Sequence, residues 1–142
     1  MLAALSLDGI IATVAYAATG GILLVVGYLV LDLVTPGRFT RLLREDGSAN
    51  AAALAIGNLT GVTTVIATAG VSSPDETVDG VVSMAGYGAI GVAAQAALLV
   101  ALSAGLRGDV GKLLVTPELH PLSVVVATAS VALGVVTAVA VA

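Results

Sequence analysis

The chain has 142 residues, of which 58% are hydrophobic and 10% are charged, and its net charge is −4. A soluble domain carries about 25% charged residues, so this composition excludes a water-facing globule. The absence of cysteine excludes a disulfide framework, a thiolate ligand and a cysteine nucleophile.

No charged residue falls between Gly9 and Leu31, between Gly47 and Pro74, or between Gly80 and Leu106, and the stretch from Leu119 to Ala142 holds only His120 as a titratable group. Each run exceeds the roughly 20 apolar residues that cross a bilayer as a helix. The sequence therefore predicts an all-α membrane protein, a single domain over 1–142, with four spans at about residues 9–33, 49–72, 80–106 and 121–142. A membrane β-barrel would need short strands alternating apolar and polar, whereas these runs are apolar on every side. "AYA" at 15–17 has the look of a cleavage site, but no Lys or Arg precedes it and the apolar run continues to Leu31. Cleavage is not expected there.

The first span ends in "LDLVTPGRFTRLLRED" at 31–46. Asp32 reads as an interfacial carboxylate paired locally with Arg38 or Arg107. After the Pro36-Gly37 break, helical projection gathers Phe39, Leu42 and Leu43 on one side and Arg38, Arg41 and Arg44 on the other. This predicts about two turns of amphipathic helix lying in the interface with the apolar face in lipid. All five basic residues sit here and in the third connector, as Arg107 and Lys112. Because short cytoplasmic loops retain Lys and Arg, loops one and three are expected inside and both termini outside.

In the second span, Ser48 or Asn50 is placed to cap the helix start. Gly57 and Gly61 form a GxxxG pair continued by Thr64 and Thr68, and Gly91, Ala94 and Gln95 make a comparable stripe on the third span. Such small residues let helix backbones approach closely where lipid gives no hydrophobic driving force. Asn58 and Gln95 lie roughly 12–17 Å deep at 1.5 Å per residue. Their amides need partners in lipid, and the plain expectation is that they bond to each other across helices two and three.

Three motifs are set aside. "GYGAIG" (Gly86 to Gly91) matches a dinucleotide fingerprint by letter but lies inside a span and not at a strand-turn-helix. The sequon "NLT" at 58–60 falls within the bilayer. His120 in "ELHPL" has no second His or Cys for a metal site and reads as a helix start with Pro121 in the first turn.

The helix-connector-helix plan occurs twice. "LVTP" recurs at 33–36 and 114–117, while aligning Gly37-Arg38 with Gly111-Lys112 maps helix one onto three and two onto four. The second register keeps the spans in step and describes a parallel duplication.

At "DLVTPGRFTRLLREDGSANAAALAIG" the chain resembles the YjfL-like family of small bacterial membrane proteins, domain of unknown function 350. The features that carry the resemblance are Thr35-Pro36 after helix one, a short charged connector, and an Asn before an alanine-rich stretch with Gly57. The connector of the second half departs from it: Thr116-Pro117 sits close to helix four, and no alanine run follows an Asn. The resemblance implies an inner-membrane protein of two similar halves and implies no activity.

No nucleophile-base pair or metal cluster is visible, so neither an enzyme nor a cofactor is expected. Expected partners are the lipid bilayer and a second copy or another membrane protein, and not nucleic acid. The leading expectation is a protein that acts by helix association, as an oligomer or accessory subunit. The alternative is a small transporter or oligomeric channel with a polar path near Asn58, Gln95 and Tyr28.

Overall fold

The computed structural model describes residues 6–106 and 109–142. Four long helices, α1 (Leu7–Val34), α3 (Ala49–Val71), α4 (Thr77–Gly105) and α6 (Pro121–Val141), are each long and apolar enough to cross a membrane. Two short helices, α2 (Phe39–Arg44) and α5 (Asp109–Val115), fill the connectors that carry the basic residues. The chain is thus all-helical with four candidate spans, close to the expected bounds. α5 has no counterpart among the expected elements.

Local chemistry sets the helix ends. The Ser6 hydroxyl accepts from Gly9 N at 3.1 Å to open α1, and Ser48 does the same for Ala51 N at 3.1 Å in α3. His120 opens α6, its Nδ1 accepting from Leu122 N at 3.2 Å, with Pro121 in the first turn as expected. At the end of α1, Pro36 biases Thr35 toward extended backbone, observed at φ −81° and ψ 127°. Gly37 and Arg38 follow at φ +91° and +63°, so the chain turns sharply through two left-handed residues before α2. Within the spans, threonine hydroxyls bond back to their own helices, as Thr19 to Ala15 O and Thr128 to Val124 O, each at 2.8 Å. That satisfies each hydroxyl without a partner from outside the helix.

The helices form two hairpins, α1/α3 and α4/α6, laid side by side. The most extensive packing joins α3 to α6 and α1 to α4, so each helix lies beside its counterpart in the other half and runs the same way. The α3–α4 contact has no equal between α1 and α6, which stand at opposite corners. Half of the membrane-crossing stretch of α3 is buried, against 22–28% for the other three. α3 is the central helix.

Two apolar clusters make the core. One, toward the basic end, joins Leu31, Phe39, Leu42, Leu54, Leu99, Leu114 and Val126; the other joins Leu23, Val62, Ile66, Ala69, Met84 and Val92. Phe39 and Leu42 are buried against protein. This corrects the expectation that their face rests in lipid: α2 folds back under the bundle and, with Leu114 of α5, closes its basic end.

Candidate functional site

Asn50 organises the basic end. Its amide nitrogen donates to Thr116 O at 2.9 Å and Glu118 O at 2.8 Å, while its oxygen accepts from His120 N at 2.8 Å and Ser123 Oγ at 2.7 Å. Two steps earlier, Ser48 Oγ donates to Leu114 O at 2.5 Å. Together they fix the α5–α6 connector to the start of α3. Ser48 is the helix cap, and Asn50, fully buried, uses its whole bonding capacity on chain 66–73 residues away. The sequence placed Asn50 at a helix start but gave no sign of these partners.

A polar layer lies between the two apolar clusters. Asn58, 0% exposed, donates from Nδ2 to Leu54 O of its own helix at 3.0 Å. Gln95, 1% exposed, reaches across to α6 and donates from Nε2 to Ser130 O at 2.8 Å. The expected bond between the two amides is therefore not formed: each NH2 group is turned to a backbone carbonyl instead. Both amide oxygens, Asn58 Oδ1 and Gln95 Oε1, are buried and meet no donor of the protein.

Gly61 makes room for the Gln95 reach. A Cβ there would fall on the Gln95 amide nitrogen and 2.6 Å from Ser130 O. A Cβ on Gly57 would lie 2.5 Å from Ala127 O, and one on Gly134 would strike the main chain of Gly61. The GxxxG pair of α3 is thus spent on α6 within the same chain. On α4, Gly91 admits Val65, whose nearest methyl would stand 2.8 Å from an added Cβ.

At the basic end, Asp32 Oδ1 accepts from Thr40 N at 2.8 Å and so caps α2, while Tyr28 Oη and Thr40 Oγ1 share a hydrogen bond of 2.9 Å. The pairing of Asp32 with Arg38 is replaced by this cap, and Arg107 lies outside the described residues. An exposed ion pair in this region joins Arg41 Nε to Glu45 Oε2 at 3.1 Å. An open recess of about 660 Å³ lies among Asp32, Arg38, Thr40, Arg41, Arg44 and Glu45. Lys112 stands on α5.

The outer face of α3 is recessed between α1 and α6. Ile56, Thr60, Thr63 and Ala67 are exposed there, at intervals of four, three and four. Contiguous depressions of about 630, 380 and 410 Å³ run along α3 and into its seams with α6, at Ala127 and Thr128, and with α1, at Leu24 and Tyr28. The Thr63 and Thr64 hydroxyls are already bonded to Leu59 O and Thr60 O at 2.7 and 2.8 Å. No cluster of three or more metal-ligating side chains occurs among the described residues.

Residues 4–141 match the family model described as Domain of Unknown Function (DUF350). The chain is 37% identical over 135 residues to a UPF0719 transmembrane protein of Mycolicibacterium paratuberculosis, covering 95% of this chain and 89% of that protein. It is 36% identical over 115 residues to a UPF0719 transmembrane protein of Mycobacterium bovis, covering 81% of this chain and 76% of the relative. No solved structure matches. Four apolar helices, a family match along nearly the whole chain and transmembrane relatives agree: this is a multi-pass membrane protein, and it belongs to the DUF350 family.

Proposed function

We propose that the protein works by helix association within the bilayer and carries out no catalysis of its own, and that the recessed outer face of α3 receives a helix from a second copy. The observation that carries this reading is the seam of Ile56, Thr60, Thr63 and Ala67. Its spacing is that of an interhelical stripe, it is lined mainly by small side chains, and the hydroxyl of its Thr63 is already bonded within α3. Van der Waals contact between close backbones is what joins helices in lipid, and a concave, small-residue surface suits it. The glycines first expected to serve this purpose, Gly57 and Gly61, hold α6 instead. An accessory-subunit role would use the same face with a helix of another protein.

The test exploits a chain without cysteine. A single cysteine replacing Thr63 is expected to give disulfide-linked dimers in native membranes, and one replacing Val136, exposed on α6, is not. An adduct of other mass at Thr63 points to the accessory role, whereas no cross-link, or equal cross-linking at both positions, removes the association reading.

The second reading, a small transporter or oligomeric channel, is supported by the two unpaired amide oxygens at Asn58 and Gln95. Against it stands the lack of a carboxylate at mid-membrane, the usual mark of ion coupling. Solute and ion flux in liposomes that disappears with Asn58→Ala would favour it.

A further inference from the structure

We propose that the junction of α3, α4 and α6 holds internal water, which donates hydrogen bonds to Asn58 Oδ1 and Gln95 Oε1. The orientation of the two amides points to it, independently of any helix association. An amide can be turned end for end without changing its shape, so its orientation follows from its neighbours. Asn58 faces Leu54 O and Gln95 faces Ser130 O, and both neighbours are acceptors. Each amide must therefore present nitrogen to its carbonyl, which leaves its oxygen on the other side. Turning either one would oppose two oxygens and free the NH2 group into the same buried space.

The two oxygens belong to one region of the interior. Gln95 lies against Gly61, and Asn58 is three residues before Gly61 on α3, about 4.5 Å along the axis. Both residues fall between the same two apolar clusters: Leu54 and Val62 flank Asn58, and Val92 and Leu99 flank Gln95. Each oxygen is buried and without a donor, and buried polar groups in folded proteins are paired with protein or with ordered water. The Ser130 hydroxyl at this level donates to Val126 O at 3.1 Å, and the second N–H of neither amide reaches the other's oxygen.

The chemistry of the guest follows. Two acceptors with no donor call for a molecule that brings donors, and water brings two in the smallest volume. A cation also suits carbonyl oxygens, but nothing near would balance its charge. α3 and α6 carry no charged residue, and the single one in α4, Asp79, sits in its first turn. An unbalanced charge at this depth is costly, whereas neutral water is not. We therefore assign the site to water.

Gln95 is the only glutamine of the chain, so labelled glutamine reports on it alone. The experiment is solid-state NMR of the full wild-type chain in lipid bilayers, following transfer of magnetisation from water to the side-chain carbonyl carbons of Gln95 and Asn58. The fully buried Val65 side chain serves as the dry reference. Transfer to both carbonyls, well above that to Val65, is expected, with carbonyl shifts that stay the same in sodium, potassium or choline buffer. Transfer no greater than at Val65 overturns the proposal. So does a carbonyl shift that follows one cation, which would assign the site to that ion.

Discussion

Gly61 of α3 and Gly134 of α6 meet backbone to backbone: a Cβ built on Gly134 would collide with the Gly61 main chain. Lipid is as good a medium as protein for a leucine side chain, so apolar burial gives α3 and α6 no reason to join. Close approach does, and it depends on the missing side chains. The contact is internal, so its loss is felt first by the fold of one chain and only then by any assembly.

For this reason Gly61→Leu and Gly134→Leu are each expected to destabilise the protein by about 1–3 kcal/mol, the usual cost of overpacking, or more where the backbone cannot yield. Thermal unfolding in mild detergent reads the loss. It should appear equally in protein diluted until any oligomer has dissociated. A destabilisation that vanishes on dilution would place these glycines between copies.

Asn50→Ala removes the four hydrogen bonds that Asn50 makes to the α5–α6 connector and the start of α6. With each bond contributing about 0.5–1.5 kcal/mol net, a loss of at least about 2 kcal/mol is expected, with earlier proteolysis between residues 115 and 121. Asn50→Asp should also be destabilising, because its carboxylate would face the Thr116 and Glu118 carbonyls without a donor. Equal stability of Asn50→Asp and wild type would show that those two donated bonds contribute nothing.

Orientation has its own test. The described Lys and Arg residues all stand at one end of the bundle, while Asp8, Asp75, Glu76 and Asp79 stand at the other. Short basic loops remain in the cytoplasm. A cysteine replacing Ser72 is therefore expected to react with an impermeant thiol reagent on intact cells, and one replacing the exposed Glu45 only after lysis. The reverse pattern would invert the topology.

The spans were legible in the sequence because hydropathy and the placement of charge report directly on a membrane. What the apolar residues face was not. Phe39 and Leu42 form the same amphipathic pattern whether they meet lipid or protein, and only the sharp turn at Gly37 and Arg38 brings them under α3. The Gly57–Gly61 pair announced a close helix contact without saying which helix, and the structure uses it for α6 of the same chain. Asn58 and Gln95 were recognised as costly polar groups, but their donors went to backbone carbonyls, Leu54 O and Ser130 O, which no side-chain pattern reveals. Asn50 was hardest of all, since its partners are main-chain groups 66–73 residues downstream.

That separation bears on how the protein is made. The central helix emerges from the ribosome before α4 and α6, yet the surface it needs belongs to α6. Until α6 arrives, the bared glycine face of α3 and the unfilled bonding capacity of Asn50 must wait in the membrane. α3 must therefore be inserted before it can be finished. A nascent chain halted after α4 would hold its spans but lack its strongest packing partner, and it would be open to capture by the α6 of a neighbouring copy.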